Sequence, residues 1–426
     1  MKFFGFKKYG DNLLFALALA VLLTALFYSA SGRRARQAEF TSIEFTQWWQ
    51  GDLERDTLRS LIAEFESLHE GIRVVLNEMP YTDLRFDLFT AGTYDEPQIP
   101  PGDVLALNPF WVPDLLNGGI IESAEAPILS FINVLYYNID ILREAGFTRP
   151  PKTRGEFLTF SRAVAANGGS RAAYALGLGL GNSPRGVHDD VFPWIWAAGA
   201  RLIQNGNPVV TTAPVVQSLA FLASLNDEGL IAPGAFYADS RQKLEDFISG
   251  RTAFMIAPTR YIALVRDRME EGSFNITSVP MLDNQMGIPF FASVGWTLGI
   301  HSGSAHKEEA RLLSAFLAGR ALHLSNSARG AIPAYTVPDA QMGRASPLAP
   351  FYTNIWEIVL AGEAAADFSG LTDGAAAESG QSSPPLHELE EIFREELAVL
   401  FTGTASPAGT AAAIQQRWLA ALREQD

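Results

Sequence analysis

From Ile43 to Leu107 the chain repeats one pattern: a short apolar strand, a turn, an amphipathic helix, then a strand again. Ile43-Glu44-Phe45-Thr46 reads as a strand that ends in Gln47-Trp48-Trp49-Gln50-Gly51. In the helix that follows, Leu58, Leu61, Ile62, Phe65 and Leu68 share one face. Gly71 stops it, and Ile72, Val74 and Leu76 alternate with Arg73 and Asn77 as a second strand. Another helical stretch covers about 82 to 91, and Val104-Leu105-Ala106-Leu107 reads as a fully buried strand. Strands that alternate with helices predict an α/β unit with a largely parallel sheet.

A chain of 426 residues exceeds what one hydrophobic core organises, so two domains or lobes are expected. A second α/β region begins beyond about Pro127. There Thr153-Arg154-Gly155-Glu156 forms a capping box, with Thr153 capping a helix start and Glu156 reaching back. Thr212-Ala213-Pro214 opens another helix whose apolar set is Val215, Leu219, Leu222 and Leu225. Residues 368–385, rich in Gly, Ser, Ala and Pro, read as a mobile loop, and the chain ends helically around Trp418 and Leu419.

Charge is unevenly spread. The formal total is −15, yet residues 1–36 carry Lys2, Lys7, Lys8, Arg33, Arg34 and Arg36 against Asp11 alone. The body is therefore strongly acidic, which excludes nucleic acid and anionic lipid surfaces as its partners. Lys2, Lys7 and Lys8 precede an uncharged apolar run from Leu13 to Tyr28, the order of a signal sequence. Ala30-Ser31-Gly32 offers a cleavage site, while Arg33 and Arg34 suit an uncleaved anchor, and both readings stand. There is no cysteine, which rules out disulfides, thiolate metal sites and a cysteine nucleophile.

Catalytic signatures are missing. No P-loop, nucleophile elbow or HExxH pattern occurs. Gly177-Leu178-Gly179-Leu180-Gly181 lacks the dinucleotide spacing and reads as a flexible strand end. His188-Asp189-Asp190 has metal-ligating chemistry, but two adjacent acids on a loop are more often solvated. A carboxylate pair for glycoside hydrolysis would come from distant segments and cannot be nominated from spacing. No cofactor is expected.

Trp48, Trp49, Trp111, Trp194, Trp196 and Trp296 fall in or near loops beside strand ends, where open α/β units place ligands. A flat ring stacks on the CH face of a sugar while amides and acids take its hydroxyls. Each of these rings would also serve as core filling. For Trp48 and Trp49, strand alternation predicts that one leaves the core side.

From about 42 to 420 the ordered motifs resemble the family 1 extracellular solute-binding proteins, best known for maltodextrin and other sugar binding. The likeness is carried by Asp103-Val104, Leu115 to Glu122, Tyr136-Tyr137-Asn138, Ala145-Gly146-Phe147, Pro150-Pro151-Lys152-Thr153 and Glu156-Phe157. It continues through Phe192 to Gly199, Phe247 with Gly250, Arg251, Ala253 and Met255, then Gly295 to Ile300 and Gly330 to Ala334. Departures are Gly102 for a usual Pro, Arg154 for the Trp after Thr153, Ala200 for Gly, Tyr335 for Arg, and a short 122–136 segment.

The resemblance implies a two-lobed periplasmic-binding-protein fold of type II with interlobe crossings, preceded by an apolar signal or anchor helix. It implies a signal or anchor plus basic hinge over 1–40, one lobe from 41–126 and 290–335, and the other from 127–289 and 336–426. The function implied is the substrate-binding subunit of an ABC importer, a monomer outside the cytoplasmic membrane, periplasmic or tethered by its N-terminal segment. It would deliver a mono- or oligosaccharide to permease subunits without covalent chemistry. Expected ligand contacts are Trp48, Trp49, Gln50, Tyr81, Asn108 and Trp111 from one lobe, with Gly295 and Trp296 on the returning strand. The other lobe contributes Asp190, Trp194, Tyr237 and Arg260, while Phe192 and Trp196 go to the core. Alternative readings are a binding protein for a polyamine, peptide or glycerol phosphate, a tethered sensor ectodomain, and a ferric site at Tyr136-Tyr137.

Overall fold

The computed structural model describes residues 40–49, 53, 56–90, 102–125, 128–167, 174–181, 186–204, 207–284, 291–321, 323–324, 332–333, 351, 354–355 and 386–423. The apolar run Leu13–Tyr28, the 368–385 stretch, Gln50 and Tyr335 lie outside these residues.

The alternation read from sequence is present. Strand β1 (Thr41–Gln47) pairs in parallel with β2 (Ile72–Glu78) and β3 (Val104–Leu107), with helices α1 (Thr57–Leu68) and α2 (Tyr81–Thr90) as crossovers. In α1 the apolar face is Leu58, Leu61, Ile62 and Phe65; Leu68 is exposed because the helix ends there and the chain turns out toward Gly71. Helix α3 (Val112–Asn117) and β4 (Ile121–Ala124) lead into the long strand β5 (Leu129–Asn138).

Beyond β5 come α4 (Ile139–Glu144), α5 (Arg154–Ala166), β6 (Tyr174–Gly177) and two short helices, α6 (Gly186–Asp190) and α7 (Phe192–Trp196). The ribbon of β7 (Ile203–Gln204) and β8 (Asn207–Pro208) precedes α8 (Ala213–Asp227), α9 (Ser240–Ile248), β9 (Thr252–Pro258), α10 (Ile262–Arg268) and β10 (Phe274–Thr277). The long strand β11 (Phe291–His301), α11 (Lys307–Ala318), β12 (Ile332–Pro333) and the helical hairpin α12 (Leu386–Phe401) and α13 (Pro407–Arg423) complete the described elements.

Among the described residues the main sheet runs β2-β1-β3-β11-β5-β9-β6. It is mixed, not largely parallel. The parallel pairs β1–β2, β1–β3 and β6–β9 sit toward its two ends, and antiparallel β5 and β11 join them. Strand β11 serves both halves: Phe291 and Ala292 face Asn133 and Ile132, then after a register shift Gly295 and Trp296 face Ser130 and Leu129. Thr297 to Ile300 then pair with Leu107 back to Val104.

The apolar interior divides with the sheet. One cluster gathers Phe45, Phe65, Leu105, Phe131 and Trp296 on the β1–β3 side. The other half has a core on each sheet face, with Leu135, Phe157 and Trp194 on one side and Tyr136, Phe247 and Met255 on the other. Leu135 and Tyr136 are neighbours on β5, and the two-residue period of a strand sends them to opposite cores.

Thr153 caps α5 by accepting from the Glu156 amide. The Glu156 carboxylate reaches one residue further back than expected, to the Lys152 amide at 2.8 Å, and also pairs with Arg149. The run Gly177–Gly181 is not a flexible end. A Cβ at Gly179 would lie 2.8 Å from the Asp239 carbonyl oxygen, and one at Gly181 2.8 Å from that of Tyr237. Backbone rests on backbone there, and only glycine allows it.

Candidate ligand-binding site

Parallel strands β1 and β3 finish at the same edge of the sheet, so the residues after Gln47 and after Leu107 come together. Because Thr297 stands opposite Leu107 on antiparallel β11, Trp296 comes level with Asn108. Three distant segments thereby deliver aromatic side chains to one place. Trp48 meets Tyr81 edge to face at 5.1 Å and Trp296 at 6.0 Å, while Trp49 stacks on Trp296 at 4.5 Å and 6°. Tyr81 also meets Trp111 at 4.7 Å and accepts a hydrogen bond at its hydroxyl from Asn108 Nδ2 at 3.0 Å.

Both Trp48 and Trp49 are buried, at 8% and 0% exposure, against the expectation from alternation. The reason is local. The Gln47 side chain accepts from the Trp49 amide at 2.7 Å, and the Trp49 carbonyl accepts from Leu53. The strand has already turned, so its period no longer applies. Trp49 and Trp296 are fully buried, Trp48 and Trp111 nearly so, and Tyr81 is half-buried. The indole N–H groups of Trp48, Trp49 and Trp296 are buried without an acceptor among the described residues. Asp114, three residues beyond Trp111, has its pKa raised to about 6 by burial, with Arg85 pulling the other way.

The remaining expected contacts scatter. Gly295 sits on β11 with no room for a side chain, since a Cβ would lie 3.0 Å from Pro109 and 3.1 Å from the Leu129 carbonyl. Trp194 is core, packed against Phe157 at 5.0 Å and Phe221 at 5.2 Å. Tyr237 is 93% exposed. Arg260 turns onto Tyr261, 4.9 Å from the ring centroid. Gln50 falls outside the described residues.

His188, Asp189 and Asp190 are not solvated loop residues; all three are buried, on α6. Asp190 pairs with Lys243 and accepts the Gly179 amide at 2.6 Å. Burial pushes its carboxyl up to about 6 against the pull of both partners. Asp189 faces the other way. Its Oδ1 lies 3.2 Å from His188 Nδ1 and 3.5 Å from Asn133 Nδ2, on β5 where that strand meets Phe291 and Pro258. Among the described residues no group of acids and histidines is arranged to hold a metal ion. Tyr136 and Tyr137 lie on opposite sheet faces, and the Tyr136 hydroxyl donates to the Pro258 carbonyl at 2.8 Å, so they cannot pinch one ion.

Asn133 has no place among the contacts expected from sequence, and Asp189 was weighed there only as a metal-ligating acid. Asn133 interrupts the apolar run Phe131-Ile132 to Val134-Leu135, and that break was the available signal.

Two α/β halves joined by crossing strands, with an aromatic cluster in the β1–β3 half, give a bilobal architecture. Residues 51–321 match the family described as bacterial extracellular solute-binding protein, and the chain belongs to it. A curated relative, the "Probable ABC transporter-binding protein" of Deinococcus radiodurans, is 27% identical over 229 residues, 52% of this chain and 53% of that protein. The chain therefore spans about half the length of this relative. Among solved structures, maltose-bound T. maritima MalE3 shares 18% identity at a TM-score of 0.64, covering 89% of this chain and 99% of that one. The cyclic alpha-maltosyl-1,6-maltose binding protein of Arthrobacter globiformis shares 16% at 0.67, covering 90% and 100%. The sugar-binding protein MalE of Xanthomonas citri shares 18% at 0.65, covering 90% and 98%. At these identities the likeness is one of fold, the two-lobed α/β architecture of the periplasmic binding proteins.

Proposed function

We propose that this chain is the substrate-binding subunit of an ABC importer, capturing a mono- or oligosaccharide between its lobes. The lobes are drawn as 41–126 with 290–335, and 127–289 with 336–426; residues 1–40 serve as signal or anchor outside the cytoplasmic membrane. The observation that carries the reading is the aromatic cluster at the carboxyl ends of β1 and β3, where Trp48, Tyr81 and Trp111 pack beside the stacked Trp49–Trp296 pair. Ring faces suit the CH faces of a pyranose, and Asn108 and Asp189 supply amide and carboxylate chemistry for hydroxyls. A ligand touching both lobes favours the closed form by its differential contacts, and that form docks on the permease. Trp49, Trp296, Trp194 and Asp190 frame the site rather than touch the solute.

Support also comes from the relatives, whose names include maltose and other sugar binders. The test is a thermal-shift screen of the purified chain against mono- and oligosaccharides, polyamines, amino acids, peptides and phosphate esters. A ligand specific to the folded state raises stability by about 2.7 kcal/mol at a hundredfold excess over its dissociation constant. A saturable shift with one sugar class is expected. A shift only with a polyamine, peptide or phosphate ester would sink the carbohydrate reading and leave the fold intact.

A further inference from the structure

Arg154 opens α5, yet its side chain runs inward and is only 4% exposed. Nη2 donates to the Trp194 carbonyl and to Ser218 Oγ at 3.0 Å, and the guanidinium lies 5.2 Å over the Phe221 ring. Nε and Nη1 find no acceptor among the described residues. Burial lowers the pKa to about 10, so the group is a cation at neutral pH. A buried cation with idle donors costs stability, and an aromatic side chain would fill the same space without that cost.

Unlike a phenyl ring, a guanidinium also donates to a carbonyl, and it brings several donors at once. Around α7 the carbonyls of Pro193, Ile195 and Trp196 are taken by the amides of Ala197, Ala198 and Gly199. The Trp194 carbonyl is the one between them, and Arg154 takes it, with Ser218 Oγ a longer second partner at 3.4 Å. Helix α7 continues from α6 through Val191, whose amide donates to Val187 and whose carbonyl accepts from Trp194. The grip on Trp194 thus extends along this segment to Asp189, which faces Asn133 on the crossing strand.

We propose that Arg154 is a positioning residue for the ligand site, fixing the α6–α7 segment against α5 and α8 and so the placement of Asp189 beside Asn133. This rests on the reading that the site between the lobes binds a solute.

Two experiments on the full chain separate the inference from that reading. The first needs no ligand: hydrogen exchange of amides 186–197 in Arg154→Met and Arg154→Lys. The expected result is at least tenfold faster exchange in Arg154→Met and a smaller rise in Arg154→Lys, with β9 and α8 amides unchanged. Unchanged exchange at 186–197, or a uniform rise across the whole lobe, overturns the proposal. The second takes the sugar that shifts the wild type and measures Kd in Arg154→Lys, Asp189→Asn and the double variant. About tenfold weaker binding is expected from Arg154→Lys alone, with no further loss once Asp189 is changed. Fully additive losses would show that Arg154 affects binding by a route other than Asp189 and overturn the proposal. A wild type that binds no sugar sinks the functional reading, and the exchange result then decides the positioning role by itself.

Discussion

The aromatic cluster at the ends of β1 and β3 and the Asp190–Lys243 pair under α6 are both buried, yet different physics holds them. The cluster assembles rings whose contacts are non-directional and shared among five partners. The pair joins two full charges 53 residues apart, with the Gly179 amide and the Ile256 carbonyl as further partners. Losing one ring leaves neighbours that still attract; losing one charge strands the other in low dielectric. The aromatic half is built for tolerance. The other is built for rigidity.

The largest expected effect breaks this contrast from the charged side. Lys243→Met should cost about 3–5 kcal/mol of unfolding free energy, because Asp190 remains buried and unpaired. Adding Asp190→Asn, which keeps an oxygen for the Gly179 amide without the charge, should recover most of that loss in urea titrations. If the double variant is no more stable than Lys243→Met, the pair is not the unit described. On the aromatic side, Trp49→Ala should cost about 3–5 kcal/mol as a core truncation that no second substitution at a single partner repairs. Trp48→Ala should weaken sugar binding about tenfold, some 1.4 kcal/mol, with a smaller fall in stability than Trp49→Ala. Equal stability losses at the two positions would erase the distinction between stacked pair and ligand face.

The smallest effect lies on the surface. Arg149, followed by the Lys152 amide, holds the Glu156 carboxyl down to about 2 from an ordinary 4.5. Its contribution is therefore present above pH 4.5 and fades as pH falls toward 2. Solvent screening keeps Glu156→Gln below about 1 kcal/mol at pH 7. A difference from wild type that persists at pH 2 would show that packing, not charge, underlies it.

The same contrast explains what could be read from the residues. The strands and helices from Ile43 to Leu107 were legible because each is written in a local period, and so was the capping box at Thr153. Trp48, Tyr81, Asn108 and Trp111 could be placed together because parallel strands end at a common edge. The mixed character of the sheet was not legible, since β11 pairs with strands more than 150 residues earlier in the chain. Nor was the state of Asp190. Its partner Lys243 lies on another helix, and no spacing rule joins them. Gly177–Gly181 looked slack because sequence shows the missing side chains and not the backbone that occupies their place.

Strand β11 belongs to both lobes without a break, and its pairing slips once, between Ala292 and Gly295. A turn of one lobe about the other twists this strand together with β5, its neighbour in the crossing, with Gly295 wedged between Pro109 and the Leu129 carbonyl. The stiffness of those few residues then acts as a spring against which any captured molecule works. Changing that spring would retune how tightly the protein holds its cargo without altering one atom that touches it.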